Sequence, residues 1–168
     1  DQLDLAISDF TKAIELNPKL AQAYAARAEA RLLFTATPAL IEDVNQAIAL
    51  EPNNARYYDI RARITAFKNC SEQNQKGCQE VIADIRKAKS LDPANPAYFT
   101  LLGAVYDSLN QYDLAAKEYD MAVQMIPSAT LPIAAVNTYI HRADFRLNAA
   151  DGNYLQKALD DLNRAVAI

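Results

Sequence analysis

Prolines recur along the chain at an interval of 34 residues, and this spacing constrains the fold more than any other feature of the sequence. Pro18 and Pro52 lie 34 residues apart, and so do Pro93 and Pro127. A similar hexapeptide precedes each of these prolines: KAIELN, QAIALE, KAKSLD and MAVQMI. Because proline lacks a backbone N–H, it ends a helix. A period of this length indicates a structural repeat in which each copy is one small helical unit.

The middle interval is longer and indicates an insertion. Pro52 and Pro93 lie 41 residues apart, and the polar run NCSEQNQKGC at 69–78 accounts for the seven additional residues as a predicted loop. The chain begins within a motif and without Met, so we expect a piece of a longer protein. The predicted units are the second helix of a partial repeat at 1–18, followed by fuller repeats at 19–52, 53–93, 94–127 and 128–168.

Each period contains two helical stretches. In the first, an aromatic residue is followed four positions later by a small one, and in the second, apolar residues such as Leu40, Val44 and Ala47 form one helical stripe. Small residues allow two helix axes to approach closely, and the aromatic rings fill the adjacent space. With only three glycines and many good helix formers, the composition also predicts an all-α fold. The aromatic–small pairs are Tyr24 with Ala28, Tyr58 with Ala62, Phe99 with Gly103, and Tyr139 with Ala143.

This pattern resembles the tetratricopeptide repeat (TPR) family of 34-residue helix–turn–helix units. The resemblance implies an α-solenoid, a right-handed superhelix of antiparallel helix pairs, with about nine helices in a single array over 1–168. It also implies that the first helices line a concave groove that binds a protein or peptide. The copy at 94–127 matches best, through Phe99, Leu102, Gly103, Tyr106, Tyr112, Ala115, Tyr119, Ala122 and Pro127.

The family resemblance and the helical spacing together nominate the residues that face this groove. Some TPR proteins grip the C-terminal carboxylate of a chaperone with paired lysines and asparagines. Those places hold Ala25, Glu29, Asp59 and Thr100 here, so we expect that clamp to be absent. Arg56 and Arg63 remain candidates for an acidic ligand, and the alternative for Arg63 is an i, i+4 ion pair with Asp59. The candidates are Gln22, Glu29, Arg56, Asp59, Arg63, Phe67, Thr100, Asp107, Asn137, Ile140 and Asp144.

Three copies share the motif Tyr-x-x-Arg-Ala, with Arg27, Arg61 and Arg142 where the best-matching copy has Leu102. Recurrence within one chain favours a structural role, in which the stem packs between repeats and the guanidinium meets carbonyls or an acid. Ligand binding by these arginines is the alternative.

Two cysteines bracket the predicted insertion loop. Because the loop joins antiparallel helices, Cys70 and Cys78 lie close enough for a disulfide, which would place the protein in the periplasm or outside the cell. Two free thiols in a cytoplasmic protein, or a redox pair, are the alternatives. Zinc is disfavoured, because it requires four ligands and the only histidine is the distant His141.

Other features exclude several function classes. The net charge of −4 has no basic block, so a nucleic-acid partner is not expected, and no apolar run is long enough to span a bilayer. Without a glycine-rich phosphate loop or a convergent triad, we expect neither catalysis nor a cofactor. The leading hypothesis is a protein-binding scaffold. The alternatives are a self-assembling module, through an apolar end face at Leu162, Val166 and Ile168, and the recognition arm of a longer multidomain enzyme.

Overall fold

The computed structural model describes residues 2–32, 38–70, 74–125, 133–148 and 159–163, and these are mostly helical. Residues 159–163 are helical in addition to eight longer helices. Within the described ranges there is no β-strand, as the all-α prediction requires. The helices are α1 (Gln2–Leu16), α2 (Ala21–Leu32), α3 (Pro38–Leu50), α4 (Ala55–Asn69), α5 (Gln75–Leu91), α6 (Pro96–Ser108), α7 (Tyr112–Gln124) and α8 (Ile133–Asn148).

The chain divides into two compact units. Unit 1 is Asp1–Asp92 and contains α1 to α5, and unit 2 is Pro93–Ile168 and contains α6 to α8. The division lies one residue from the boundary that the proline period predicts. Each unit therefore contains helices that follow one another in the chain.

Asparagines begin several of the helices. The side chains of Asn54, Asn74 and Asn95 accept hydrogen bonds from backbone N–H groups in the first turns of α4, α5 and α6. Pro96 occupies the first turn of α6, where a missing N–H costs nothing. The start of α6 therefore carries an N-cap asparagine followed by a first-turn proline, a combination that favours the beginning of a helix.

The core of unit 1 is shared by three helices. Small residues on α2 pack against the apolar stripe of α3, and α4 closes the cluster with larger side chains. Because α4 belongs to the following helix pair, no single pair buries its own stripe, which is the basis of solenoid stability. The cluster comprises Ala21, Ala25, Ala28, Leu40, Val44, Ala47, Tyr57, Ile60 and Ile64.

In unit 2, α6 and α7 approach each other closely at Gly103. A methyl group added at Gly103 would lie 2.9 Å from the ring of Tyr119, which is itself buried. That ring also packs against Phe145 of α8, with the ring centroids 5.5 Å apart. Gly103 thus provides the space for a tyrosine at the centre of this unit.

The three recurrent arginines make the same contacts in each copy. Each guanidinium lies over the ring of the tyrosine three residues earlier, with 5.7 to 5.9 Å from carbon Cζ to the ring centroid. Each also donates two hydrogen bonds, from Nε and Nη2, to one aspartate in the helical segment that follows. The Nε–Oδ2 distances are 2.8 Å for Arg27 to Asp43, 2.8 Å for Arg61 to Asp84, and 2.9 Å for Arg142 to Asp161.

The remaining nitrogen of each arginine, Nη1, reaches back to the preceding second helix. Each arginine therefore joins its own helix to a second helix on either side. The predicted structural role, with the guanidinium paired to an acid, is confirmed by these contacts. The Nη1 partners are Thr11 for Arg27 at 3.3 Å, Asn45 for Arg61 at 2.7 Å, and Asp120 for Arg142 at 2.8 Å.

The two cysteines are joined in a disulfide, which is one of the alternatives that the sequence left open. Cys70 follows the last residue of α4 and Cys78 lies in the first turn of α5, with their Cα atoms 4.4 Å apart. The Cys78 side chain is fully buried. The bond therefore ties the end of α4 to the start of α5.

Candidate functional site

Five of the predicted groove residues lie together in unit 1. We call the surface they form the α2–α4 groove: Gln22 and Glu29 on α2, with Arg56, Asp59 and Arg63 on α4. Both helices are the first helices of their repeats, and they pack side by side through the core described above. The repeat therefore brings polar side chains from two copies onto one surface.

Four charged residues of this groove form one network. Arg56 Nη2 donates to Glu29 Oε2 at 2.5 Å, and Arg63 pairs with Asp59 one helical turn earlier. Arg63 also lies 3.8 Å from Glu29, so this glutamate is shared by both cations. Two positive and two negative charges leave the network neutral, and the predicted i, i+4 pair is confirmed.

The members of this network differ in exposure. The Arg56 and Arg63 side chains are 66% and 49% exposed, whereas those of Glu29 and Asp59 are 30% and 14% exposed. Burial raises the pKa of Asp59 above its usual value, although the attraction of Arg63 opposes this. The cations thus face solvent, and the acids lie behind them.

Two cavities flank the network. The larger, of about 450 Å³, includes Leu20, Gln22, Ala25, Arg56 and Tyr57 in its lining. The Tyr57 hydroxyl donates to Glu51 at 2.9 Å, and burial with this hydrogen bond raises the pKa of Tyr57 to about 12. The phenol is therefore neutral at physiological pH.

The smaller cavity, of about 250 Å³, is lined by Glu29, Leu32, Ile60 and Arg63. The two cavities are separated by about six residues along each helix, or roughly 10 Å at 1.5 Å per residue. Arg56 borders the larger cavity and Glu29 the smaller, so their ion pair lies at the boundary between them.

Comparison with known proteins identifies the fold. A crystal structure of TTC0263, described as a thermophilic TPR protein in Thermus thermophilus, superposes with a TM-score of 0.80 at 18% identity, covering 98% of this chain and 82% of that one. A crystal structure of YrrB, described as a TPR protein with an unusual peptide-binding site, gives a TM-score of 0.63 at 22% identity, covering 94% and 73%.

This chain has the TPR fold. The predicted class, an all-α solenoid of antiparallel helix pairs, is confirmed by these structures. No protein-family model matches the chain. In sequence it is 31% identical, over 94 residues, to a DnaJ homolog subfamily C member 7 homolog of Dictyostelium discoideum. That alignment spans 54% of this chain and only 16% of the relative.

The predicted groove residues in unit 2 have different surroundings. Thr100 is buried, and its hydroxyl shares a 2.8 Å hydrogen bond with Thr138, which removes it from the exposed surface. Asp107 is half-buried, and burial raises its pKa. Ile140 and Asp144 are exposed on α8. The structure therefore does not gather these four into a network like that of unit 1.

Some predicted sites lie outside the residues whose side chains are described. Phe67 and Asn137 belong to α4 and α8, but their side chains are not among those that the structure describes. At the predicted apolar end face, Leu162 is half-buried, while Val166 and Ile168 lie outside the described residues. Self-assembly through this face stays a prediction.

The sequence reasoning missed one aromatic residue of the site. Tyr57 was not a candidate, although it forms part of both the core and the larger cavity. Its neighbour Tyr58 carries the repeat motif. Because adjacent residues on a helix point about 100° apart, two successive tyrosines indicate that the second ring faces a different surface. The ion pair between Glu29 and Arg56 had no local signal, because 27 residues separate its members.

Two kinds of site are absent from the described part of this TPR chain. Within it, no group of three or more His, Cys, Asp or Glu side chains is arranged to hold a metal ion. None of the described helices combines the length and apolar character needed to cross a bilayer.

Proposed function

We propose that this chain is a non-catalytic scaffold that binds a peptide or an extended protein segment in the α2–α4 groove. The observation that carries the proposal is the pair of cavities beside a network of exposed guanidinium groups on neighbouring first helices, with Phe10 and Ala13 of α1 also lining the larger cavity. The TPR fold supports it, as does the likeness to YrrB, which is described as having a peptide-binding site.

The groove offers both elements that peptide recognition needs. Leu20, Ala25 and Tyr57 give the larger cavity an apolar surface, and Leu32 with Ile60 gives the smaller one the same character. Apolar contacts of this kind provide most of the binding free energy, while a few polar groups at the rim fix register and orientation.

A random peptide library displayed on phage and selected against the immobilised protein tests the proposal. Gln22 is exposed and lines the larger cavity, so Gln22→Trp fills that cavity without disturbing the core. The matched control is Gln79→Trp, at an exposed position on the second helix α5.

We expect the wild-type protein and the Gln79→Trp variant to enrich the same peptides and to bind them in solution with equal affinity. The Gln22→Trp variant should lose at least tenfold in affinity, because its indole occupies the space of a peptide side chain. Failure of the folded wild-type protein to enrich any peptide, or equal binding by the Gln22→Trp variant, would contradict the proposed function.

A further inference from the structure

The arginines of this chain fall into two classes by the use of their hydrogen-bond donors. Arg27, Arg61 and Arg142 each donate from Nε, Nη1 and Nη2 to residues of the fold. Among the described residues, Arg56 and Arg63 donate from Nη2 alone, to Glu29 and Asp59. Two guanidinium groups of the α2–α4 groove thus retain Nε and Nη1 for another acceptor.

The order of exposure determines which charge a partner meets first. The guanidinium groups are the more exposed members of the network, and the two carboxylates behind them are already engaged. A basic side chain would have to displace an arginine to reach Glu29 or Asp59. A carboxylate needs no such exchange, since it can accept the remaining donors in a charge-assisted hydrogen bond.

The cavities determine where this carboxylate lies in the partner. They are about 10 Å apart on opposite sides of the Glu29–Arg56 pair, a distance that lies between those spanned by two and by four residues of extended chain. Because successive side chains of an extended chain point to opposite faces, two that enter the same surface are an even number of residues apart. A partner that fills both must continue on both sides of the arginines. Its acid is then an internal side chain, in contrast to a carboxylate at a chain terminus.

We infer that the partner of the α2–α4 groove is an extended segment with an internal Asp or Glu, and with one apolar side chain two residues before it and another two residues after it, so that all three face the groove. Arg56 and Arg63 bind the acid, and the two cavities hold the apolar side chains. This inference rests on the proposed function and specifies the ligand of the same site.

The test is the sequence of the peptides that the phage selection enriches, followed by affinity measurements. Peptides from the enriched set are synthesised with acetylated and amidated termini, and their dissociation constants are measured by fluorescence anisotropy. Each is compared with versions in which the acidic residue is replaced by Asn or Gln, or by Lys. A library with free C-termini is selected in parallel.

We expect the enriched peptides to share an internal acid flanked by apolar residues, and to lose about tenfold in affinity when the acid becomes an amide. Arg56→Ala and Arg63→Ala should each lose a similar factor. The double variant Arg56→Glu/Arg63→Glu should prefer the Lys peptide over the acidic one. The matched control Arg86→Glu, on the second helix α5 and exposed, should keep the wild-type preference.

Four results would overturn the inference while leaving the proposed function intact. They are enrichment of basic peptides, enrichment of apolar peptides without an acid, binding that requires a free C-terminal carboxylate, and wild-type affinity in both Arg56→Ala and Arg63→Ala. Enrichment of no peptide at all would instead contradict the proposed function itself. Circular dichroism melting of every variant checks that it is folded, which we expect because Arg56 and Arg63 are exposed.

Discussion

At the scale of single residues, the chain uses the same side chain for two purposes. The arginine of Tyr-x-x-Arg is held between a ring and an aspartate, and the acid that receives it is almost inaccessible in each copy. The arginines of the α2–α4 groove are exposed at the surface, and each donates a hydrogen bond to one acid. Removing a partner of a buried pair leaves an uncompensated charge, whereas an exposed pair contributes little to folding.

The repeat at 94–127 supplies a natural comparison for the buried pair. It has Leu102 in place of the arginine and Glu118 in place of the aspartate, and Leu102 is buried while Glu118 is only partly buried. The side chain of glutamate is one methylene group longer than that of aspartate, so its carboxylate can extend further from the buried position. Leucine and glutamate therefore form a compatible pair at these two positions.

We predict that Arg61→Leu lowers the free energy of unfolding by about 2–3 kcal/mol, because Asp84 is left buried without its cation. The double variant Arg61→Leu/Asp84→Glu copies the repeat at 94–127 and should recover most of this loss. Urea unfolding followed by circular dichroism measures both. A double variant as unstable as the single one would show that the pair is not the cause.

A second prediction concerns Asp59, whose pKa is raised mainly by burial. The folded protein holds this proton more tightly than the unfolded chain, so the charged carboxylate lowers stability at neutral pH. This penalty disappears as the pH falls below about 4, where the group is protonated in both states.

The variant Asp59→Asn should therefore melt at a higher temperature than the wild type at pH 7, and the difference should shrink toward pH 3. Melting curves of both proteins at several pH values measure this, and the comparison cancels the titration of the groups that do not interact with Asp59. A lower melting temperature for Asp59→Asn at pH 7 would show that its pairing with Arg63 outweighs burial.

At the scale of helices, the volumes of facing residues compensate each other. Where α6 has Gly103, α7 has the large ring of Tyr119; the corresponding pairs in unit 1 are Ala28 with Val44, and Ala62 with Ile85. The loss of one methyl group on the first helix thus accompanies a larger side chain on the second. Close packing requires such a match, since interiors tolerate neither voids nor overlap.

Gly103→Ala should accordingly destabilise the protein by about 1–2 kcal/mol, despite the better helix propensity of alanine, because the Tyr119 ring must move. In a Tyr119→Ile background, which copies the pair in unit 1, the same substitution should be neutral or stabilising. A double-mutant cycle by urea unfolding measures the coupling. Additive effects of the two substitutions would refute this account of the packing.

At the scale of the whole molecule, the sequence predicted the scaffold better than the site. The proline period, the small-residue pairs and the apolar stripes predicted the helix pairs, because each signal is local and is repeated in several copies. The offset between two neighbouring helices along their axes is not a local property of the sequence. The repeat period aligns Gln22 with Arg56 and Glu29 with Arg63, yet Arg56 pairs with Glu29, and only the packing of α4 on α2 determines that offset.

Thr100 illustrates the same limit in unit 2. Its position in the period predicted a groove residue, but α8 provides Thr138 within hydrogen-bond distance and buries the hydroxyl. A pattern within one helix gives the direction of a side chain, whereas its exposure depends on the side chains of the next helix. The sequence alone therefore could not tell which of the predicted groove residues lie together on one surface.

The central claim is that the first helices α2 and α4 form the binding surface, and amide hydrogen exchange with and without an enriched peptide tests it most directly. We predict slower exchange in 21–32 and 55–66 when the peptide is bound, with no change in the second helices α3 and α5. Slower exchange confined to α3 and α5, or to residues 93–168, would place the binding surface elsewhere and contradict the account.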